Sequence, residues 1–440
     1  MQWLKKGFDA MIGEPWLAIS RIFTVLGLGV CLRQRRRNPA YVPLPGRIVY
    51  VAASSLPFHT SGYTTRTHEV IRALKAAGLD VVVLTRPGYP WDRRDRLCDP
   101  ALEMTQVEDV FYAHERRPSN NRPVFQYTMQ AAPVIAGAAR KHRAAIIHAA
   151  SNHTNALPAL LAARRLGIPF HYEMRGLWEL TRVSRMPEFE GSQAYRQGLA
   201  LEALVAHHAD RVYVISEQLK QYLAEQWGVP ADRMALLPNC VDPERIFLSE
   251  TTPAQPGVIG YAGSLINYEG LDVLVDAVDI LTRNGLDIQV RIAGSGEARP
   301  QLEAQVQRLG LMDRIHFLGV LPPGAARQMI SDCSVVCIPR RPFTVCRMIP
   351  PIKLAEALAL EKPVIVPDLP VFRDELGDSR SGWFFKPGDA ESLAEVMAEA
   401  LGDDAELSAR GKCARDHVST RRNWQLFVSE IAASCRMEKH

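Results

Sequence analysis

Residues 338–370, IPRRPFTVCRMIPPIKLAEALALEKPVIVPDLP, set four cations and a carboxylate beside a helix start. Pro350 and Pro351 do not fit a helix interior but suit its first turn. KLAEALAL therefore reads as a short helix whose free amide groups and positive dipole end face the preceding loop. Such an end is an anion site. Lys353 and Glu356 stand three apart and share a helix face, which puts an ammonium near a phosphate and a carboxylate deeper, where it would accept ribose hydroxyls. EKPVIVPDLP then reads as a turn and a buried parallel strand, so the helix lies between two strands of an α/β sheet.

At 440 residues the chain exceeds one ordinary core and suits two doubly wound domains with additions. Hydrophobic residues make up 47% and charged residues 23%, which excludes disordered and fibrous classes. A net charge of +4 argues against a nucleic-acid surface across the whole protein. The eight cysteines form no CxxC pair and no zinc-like spacing with histidine, so they read as reduced thiols, and no metal site is expected.

From Arg47 the pattern is strand, loop, helix, strand: RIVYVAAS, SSLPFHTSGYTTRT, THEVIRALKAAG and DVVVLTRPG form a βαβ unit. His59, Ser61, Gly62, Tyr63 and Arg66 fall at the carboxyl end of its first strand, the edge at which open α/β sheets bind ligands. The charged stretch from Asp92 to Gln130 reads as a long surface excursion. RAAIIHAASNHTNALPALLAARRLGIPFHYEMRGLWE follows as strand, loop, helix, strand and loop. It brings His148, His153, Glu173, Arg175, Trp178 and Glu179 to one edge. DPERIFLSETTPAQPG, residues 242–257, reads as a linker. A second sheet then begins, and Gly263, Ser264, Gly294 and Gly296 stand at its strand ends, where glycine lets backbone approach a phosphate.

The run K-x-x-E-A from Lys353, followed by K-P-V-I-V from Lys362, resembles the donor-binding signature of family 4 glycosyltransferases. SGYTTRTHEVIRALKAAGLDVVVLTRPG, YEMRGLWE, VYVISEQL and LLPNCVD are also similar to that family. The resemblance spans nearly all of residues 47–427. It implies the GT-B fold, two doubly wound, Rossmann-like parallel-sheet α/β domains facing across a cleft, with an N-terminal helical extension here. The expected division is extension 1–45, acceptor domain 46–241, linker 242–256, donor domain 257–420, and a final helix 421–440 crossing back to the first domain. A nucleotide-diphosphate sugar is the implied donor, with no cofactor and no metal. The expected donor set is Gly62, Gly263, Ser264, Gly294, Gly296, Arg340, Arg341, Arg347, Lys353 and Glu356. The expected acceptor set is His59, Tyr63, Arg66, His148, Glu173 and Arg175. His153, Lys353 and Glu356 are the expected catalytic residues, because family members commonly carry a histidine in the His153 loop that contacts the donor sugar or its phosphate. The pattern departs from the family in two places. Ser264 and Glu269 stand where many members have arginine and lysine on the diphosphate, and Met348 stands where the first of two glutamates is usual. Arg340, Arg341, Arg347 and Lys353 are then the groups left to meet the diphosphate.

In the first 45 residues, Leu4, Phe8, Ile12, Ile19, Phe23, Leu26 and Val30 recur at helical spacing, with Gly13 and Pro15 dividing the segment, and Arg33, Arg35, Arg36 and Arg37 follow. The pattern suits helices lying in a membrane interface through residues 1–40, separable from the body; the plainer reading is an amphipathic extension packed on the body. The expectation is a retaining, metal-independent hexosyl transfer to a glycan or lipid-linked acceptor in cell-surface polysaccharide biosynthesis, at the cytoplasmic face of the membrane and without nucleic acid. A nucleotide-sugar epimerase of the same architecture, or a non-catalytic membrane-associated scaffold, is the alternative.

Overall fold

The computed structural model describes residues 21–33, 41–242, 245 and 254–437. Leu4, Phe8, Ile12, Ile19, the division at Gly13 and Pro15, Arg35 to Arg37 and most of the linker lie outside the described residues. The chain forms two compact units. Of the described residues, those up to Ile215, Leu219–Leu237 and those from Phe427 onward make the first, and Ser216–Gln218 with Pro238–Leu426 the second.

The first unit begins with α1 (residues 21–33) and continues through β1 (Arg47–Ala52), α2 (Gly62–Ala76), β2 (Asp80–Thr85), β3 (Met104–Val107), β4 (Val110–Ala113), α3 (Val124–Lys141), β5 (Ile146–Ala150), α4 (His153–Leu166), β6 (Phe170–Met174), α5 (Trp178–Val183), α6 (Gln193–His208), β7 (Arg211–Val214), α7 (Glu217–Trp227) and β8 (Met234–Leu236). Its eight-stranded sheet has the order β3-β4-β2-β1-β5-β6-β7-β8. β5 and β6 are buried along their whole length, as strands covered by helices on both faces must be. The strand order reverses between β1 and β5, which pair in parallel from Ile48↔Ile146 onward. Loops leaving β1 and β5 therefore diverge at a switch point, where a ligand crevice belongs.

Part of the expected excursion after Asp92 is ordered sheet. β3 and β4 pair antiparallel, Met104↔Ala113 to Val107↔Val110, around a turn in which Glu108 has φ 50. These strands are four residues each on a sheet edge, and Met104 and Phe111 stay exposed, so their alternation is short and half apolar on the wet face.

The second unit runs through β9 (Gln255–Ala262), α8 (Leu271–Arg283), β10 (Gln289–Ala293), α9 (Arg299–Arg308), β11 (Ile315–Gly319), α10 (Pro323–Ser331), β12 (Cys333–Cys337), α11 (Thr344–Met348), α12 (Ile352–Ala359), β13 (Val364–Pro367), α13 (Pro370–Leu376), β14 (Gly382–Phe385), α14 (Ala390–Leu401) and α15 (Asp404–Arg421). Gln255 and Pro256, expected in the linker, already belong to β9. The all-parallel order is β11-β10-β9-β12-β13-β14, and it reverses between β9 and β12. Apolar faces of β9, β10 and β12 close with α8 and α14 on one core that includes Ile259, Leu274, Val278, Ile292, Leu393 and Met397. The last helix, α16 (Trp424–Met437), passes into the first unit, where Ser434 Oγ lies 3.2 Å from the hydroxyl of Tyr213.

α1 has two unlike apolar faces. Leu28 and Leu32, one turn apart, are buried. A Cβ on Gly27 would stand 3.1 Å from the ring of Phe125 on α3, and Arg21 reaches Gln193 at the start of α6, so this face packs on the first unit. Ile22, Phe23, Leu26 and Val30, on the remaining surface, are each 60% exposed or more.

Candidate active site

Each unit gathers polar groups at its own switch point. In the second unit, Pro351 is the extended N-cap of α12 and Ile352 begins the helix, so the paired prolines precede its first turn rather than sit in it. α12 carries Lys353 and, one turn on, the half-buried Glu356. The Lys353 ammonium donates to the Tyr261 hydroxyl at 2.6 Å and to Glu269 Oε2 at 2.8 Å, and lies 4.1 Å above the Tyr261 ring. It ends beside the loop after β9, where a Cβ on Gly263 would stand 2.6 Å from Nζ. Lys353 and Gly263 are thus together at the reversal between β9 and β12.

Arg340, in the loop after β12, is 8% exposed and donates through Nη2 to Glu269 Oε1 at 2.9 Å and through Nη1 to the Ile349 carbonyl at 2.8 Å. Glu269 is therefore clasped by two cations. Burial pushes its carboxyl upward, but Arg340 and Lys353 outweigh that and hold it at about 2. Burial also lowers Lys353 from its ordinary value, against the pull of Glu269. Arg341 pairs with Asp272, and the exposed Arg347 donates to the Pro342 carbonyl. Of the four cations expected at the diphosphate, Lys353 is placed at the glycine loop, while Arg340 is enclosed behind it.

The glycines of the β10 loop have a packing job. A Cβ on Gly294 would fall 1.8 Å from the Gly263 carbonyl oxygen, and one on Gly296 would fall 2.1 Å from that of Leu265. Their bareness lets the β9 and β10 loops lie backbone to backbone, tied by Gly263 N–H to Ala293 O at 2.9 Å and Leu265 N–H to Ser295 O at 3.0 Å. Ser264 is exposed on that shared loop.

In the first unit, Gly62 is the first residue of α2, behind a capping box between Ser61 and Thr64. His59 is half-buried in the loop after β1, and burial followed by Arg93 lowers its pKa. The Tyr63 hydroxyl accepts from the Ala53 N–H, just past β1, at 3.2 Å. Arg66, Glu173 and Arg175 are buried together. Glu173 accepts from Arg66 Nη2 at 2.9 Å, from Arg175 Nε at 2.9 Å and from the Tyr50 hydroxyl at 2.7 Å. Arg175 also donates to Thr67 at 2.6 Å and covers the Tyr63 ring at 4.5 Å. With Glu173 fully enclosed, this group braces β1, α2 and β6 against one another and offers an acceptor little surface. His148 is likewise fully buried, at mid-strand in β5, stacked 4.9 Å from Tyr50 and 5.8 Å from Tyr213. Expected as direct acceptor contacts, His148, Arg66, Glu173 and Arg175 are instead interior supports.

His153 opens α4 at the carboxyl end of β5, and its Nδ1 lies 3.1 Å from Glu202 Oε1 on α6. Glu179 Oε1 is 4.0 Å from the same nitrogen. Burial would lower the imidazole, but Glu202 and then Glu179 raise it. Next in chain to Glu179, Trp178 is 70% exposed, an open aromatic face at this edge. Glu202 and Tyr261 escape a sequence reading because they lie within ordinary helix and strand patterns, and Glu269, in the turn between β9 and α8, stands out in the sequence only as a departure from the family pattern and not as the partner of Lys353. Among the described residues no group of His, Cys, Asp and Glu side chains is spaced to hold a metal ion.

Two family models divide the chain between them: the glycosyl transferase 4-like domain matches residues 61–240, and the glycosyl transferases group 1 model matches residues 243–417. A glycogen synthase of Mycobacterium tuberculosis (strain CDC 1551 / Oshkosh) is 22% identical over 88% of this chain and 93% of its own. Among solved structures, the sucrose-phosphate synthase of Thermosynechococcus elongatus superposes with a TM-score of 0.72 at 19% identity, over 89% of this chain and 98% of its own. Anabaena Alr3699/HepE in complex with UDP and glucose gives 0.64 at 18% identity, over 89% of this chain and 99% of its own. Two parallel-sheet units that each reverse at their ligand edge, matched one after the other by these models, make the chain a family 4 glycosyltransferase of the GT-B fold.

Proposed function

We propose that this glycosyltransferase moves a sugar, with retention of anomeric configuration, from a nucleotide-diphosphate donor to a glycan or lipid-linked acceptor in polysaccharide biosynthesis at the cytoplasmic face of the membrane. The observation that carries the donor reading is the Lys353 ammonium beside Gly263 at the β9/β12 reversal, with Glu356 one helical turn away. The bond between the anomeric carbon and the leaving phosphate oxygen breaks, the acceptor oxygen bonds to that carbon on the same face, and the acceptor proton passes to the leaving phosphate. Lys353 and the α12 dipole stabilise the negative charge that grows on the diphosphate, in the role a divalent ion would otherwise fill. Glu356 accepts the ribose hydroxyls, and His153 acts at the transferring sugar. The Anabaena protein bound to UDP and glucose supports a nucleotide-sugar donor.

For the membrane part, the exposed row Ile22, Phe23, Leu26 and Val30 on α1 supports peripheral contact. No helix among the described residues is long and apolar enough to cross a membrane.

The test has two steps. A thermal-shift screen against UDP, GDP, ADP and their common sugars identifies the donor, since ligand at a hundredfold its Kd stabilises by about 2.7 kcal/mol. Nucleoside diphosphate released only with acceptor present, and lost in Lys353→Met, is the expected result. Interconversion of donor epimers without acceptor would overturn it.

A further inference from the structure

Glu202 is fully buried on α6. Oε1 accepts from the backbone N–H of His153 at 2.7 Å and faces the ring Nδ1 at 3.1 Å. Oε2 accepts from the Tyr172 hydroxyl on β6 at 2.5 Å. A carboxylate oxygen facing a ring nitrogen at hydrogen-bond distance is met by hydrogen on that nitrogen. The other ring nitrogen, Nε2, has no protein hydrogen bond and is not enclosed, unlike both ring nitrogens of His148.

We infer that Glu202 is a positioning residue for His153, fixing the ring with its proton on Nδ1 and leaving Nε2 as the nitrogen offered to the substrate. This rests on His153 acting at the transferring sugar, as proposed above. The ionisable groups facing the ring are Glu202 from α6 and Glu179 from α5, with the Tyr172 phenol behind Glu202. Glu179 packs on the same helix one turn earlier, where a Cβ on Gly198 would fall 2.0 Å from its Oε1, and its Oε2 is buried without a partner. Two carboxylates thus favour the imidazolium, in which Nε2 is a hydrogen-bond donor suited to a sugar hydroxyl or a phosphate oxygen.

Glu202 also caps α4, because Asn152 makes no side-chain cap and the His153 N–H is met by Glu202 instead. The test must separate that from the ring. Glu202→Gln keeps an oxygen for both donors and removes the charge. In the full-length protein we expect kcat to fall about tenfold or more with donor KM little changed, and the alkaline limb of the kcat profile to move about one pH unit lower. A folded variant with unmoved limb and unmoved kcat overturns the proposal. Nitrogen-15 NMR of histidine-labelled wild-type protein, assigned with His153→Ala, reads the tautomer directly and does not depend on the variant folding. Hydrogen on Nδ1 at all pH values, with titration at Nε2, supports the inference, and a bare Nδ1 at neutral pH overturns it. An intact Nδ1–H signal without donor turnover would fault the transferase reading alone.

Discussion

Glu269 holds Lys353: its Oε2 lies 2.8 Å from the ammonium, while its Oε1 takes Arg340 at 2.9 Å. The negative residue that stands in place of a family lysine therefore presents a lysine from α12 at the same glycine loop, and the cluster keeps one net positive charge. Removing Glu269 leaves two buried cations facing each other, and removing Lys353 leaves the Glu269–Arg340 pair intact. Glu269→Gln is thus expected to cost about 3 to 5 kcal/mol of stability, measured by urea denaturation. Lys353→Met should cost clearly less in the same assay, yet weaken donor binding by about tenfold in calorimetry. Equal stability losses for both variants would contradict the arrangement.

The same cluster predicts an acid limb. Glu269 has a folded pKa of about 2, below its unfolded value, so its stabilisation is complete above about pH 4.5 and is lost as pH falls toward 2. Wild type and Glu269→Gln should therefore differ most above pH 4.5 and converge below it. A difference that persists unchanged at pH 2 would show that the carboxylate is not the source.

Much of this site was legible where its cause is local. Pro350, Pro351 and the apolar run after them determine α12 within a dozen residues, and the spacing of Lys353 and Glu356 follows from the helix. What escaped depends on topology. Glu202 meets His153 across 49 positions and Glu269 meets Lys353 across 84, and neither pairing leaves a trace in the local sequence pattern. His148 misled for the opposite reason. A histidine after two isoleucines reads as a strand end, but the strand continues through Ala150, and stacking between Tyr50 and Tyr213 lets the ring stay in the core.

Glu356 tests the ribose assignment. It is half-buried on α12, so Glu356→Gln should leave the helix in place. A charge-assisted hydrogen bond contributes about 1.5 to 3 kcal/mol, so donor affinity should fall at least several-fold. Unchanged affinity in the folded variant would remove Glu356 from the donor site.

His114 supplies a second pH window, in the first unit. It is buried between Thr85 Oγ1, 2.9 Å from Nδ1, and Thr105 Oγ1, 2.8 Å from Nε2, and burial lowers its pKa to about 4. A histidine depressed in the folded state stabilises above its unfolded pKa of about 6.5, and that contribution is lost as pH falls toward 4. The shift corresponds to about 3 kcal/mol. His153 is shifted the other way and loses its contribution as pH rises, so the two do not mimic each other. Stability should drop between pH 6.5 and 4, and His114→Gln should flatten that slope relative to wild type.

The two faces of α1 separate folding from membrane contact. Leu28 and Leu32 are buried on the first unit, so the expectation that residues 1–40 could be removed without cost gives way to a narrower one. A deletion confined to residues 1–20 keeps Leu28 and Leu32 in the chain, whereas Leu28→Ala should cost about 2 to 5 kcal/mol. Phe23 and Leu26 lie on the exposed row, so Phe23→Ser with Leu26→Ser should leave the denaturation midpoint nearly unchanged. If that row enters the headgroup boundary, the double variant should sediment far less with anionic vesicles than wild type does. Raising salt should release wild type as well, since the arginines from Arg33 to Arg37 add about 1 kcal/mol each only within a Debye length of anionic lipid. Equal sedimentation of wild type and double variant would show that the exposed row is not what meets the membrane. Loss of folding in the double variant would show that the row is covered within the protein itself.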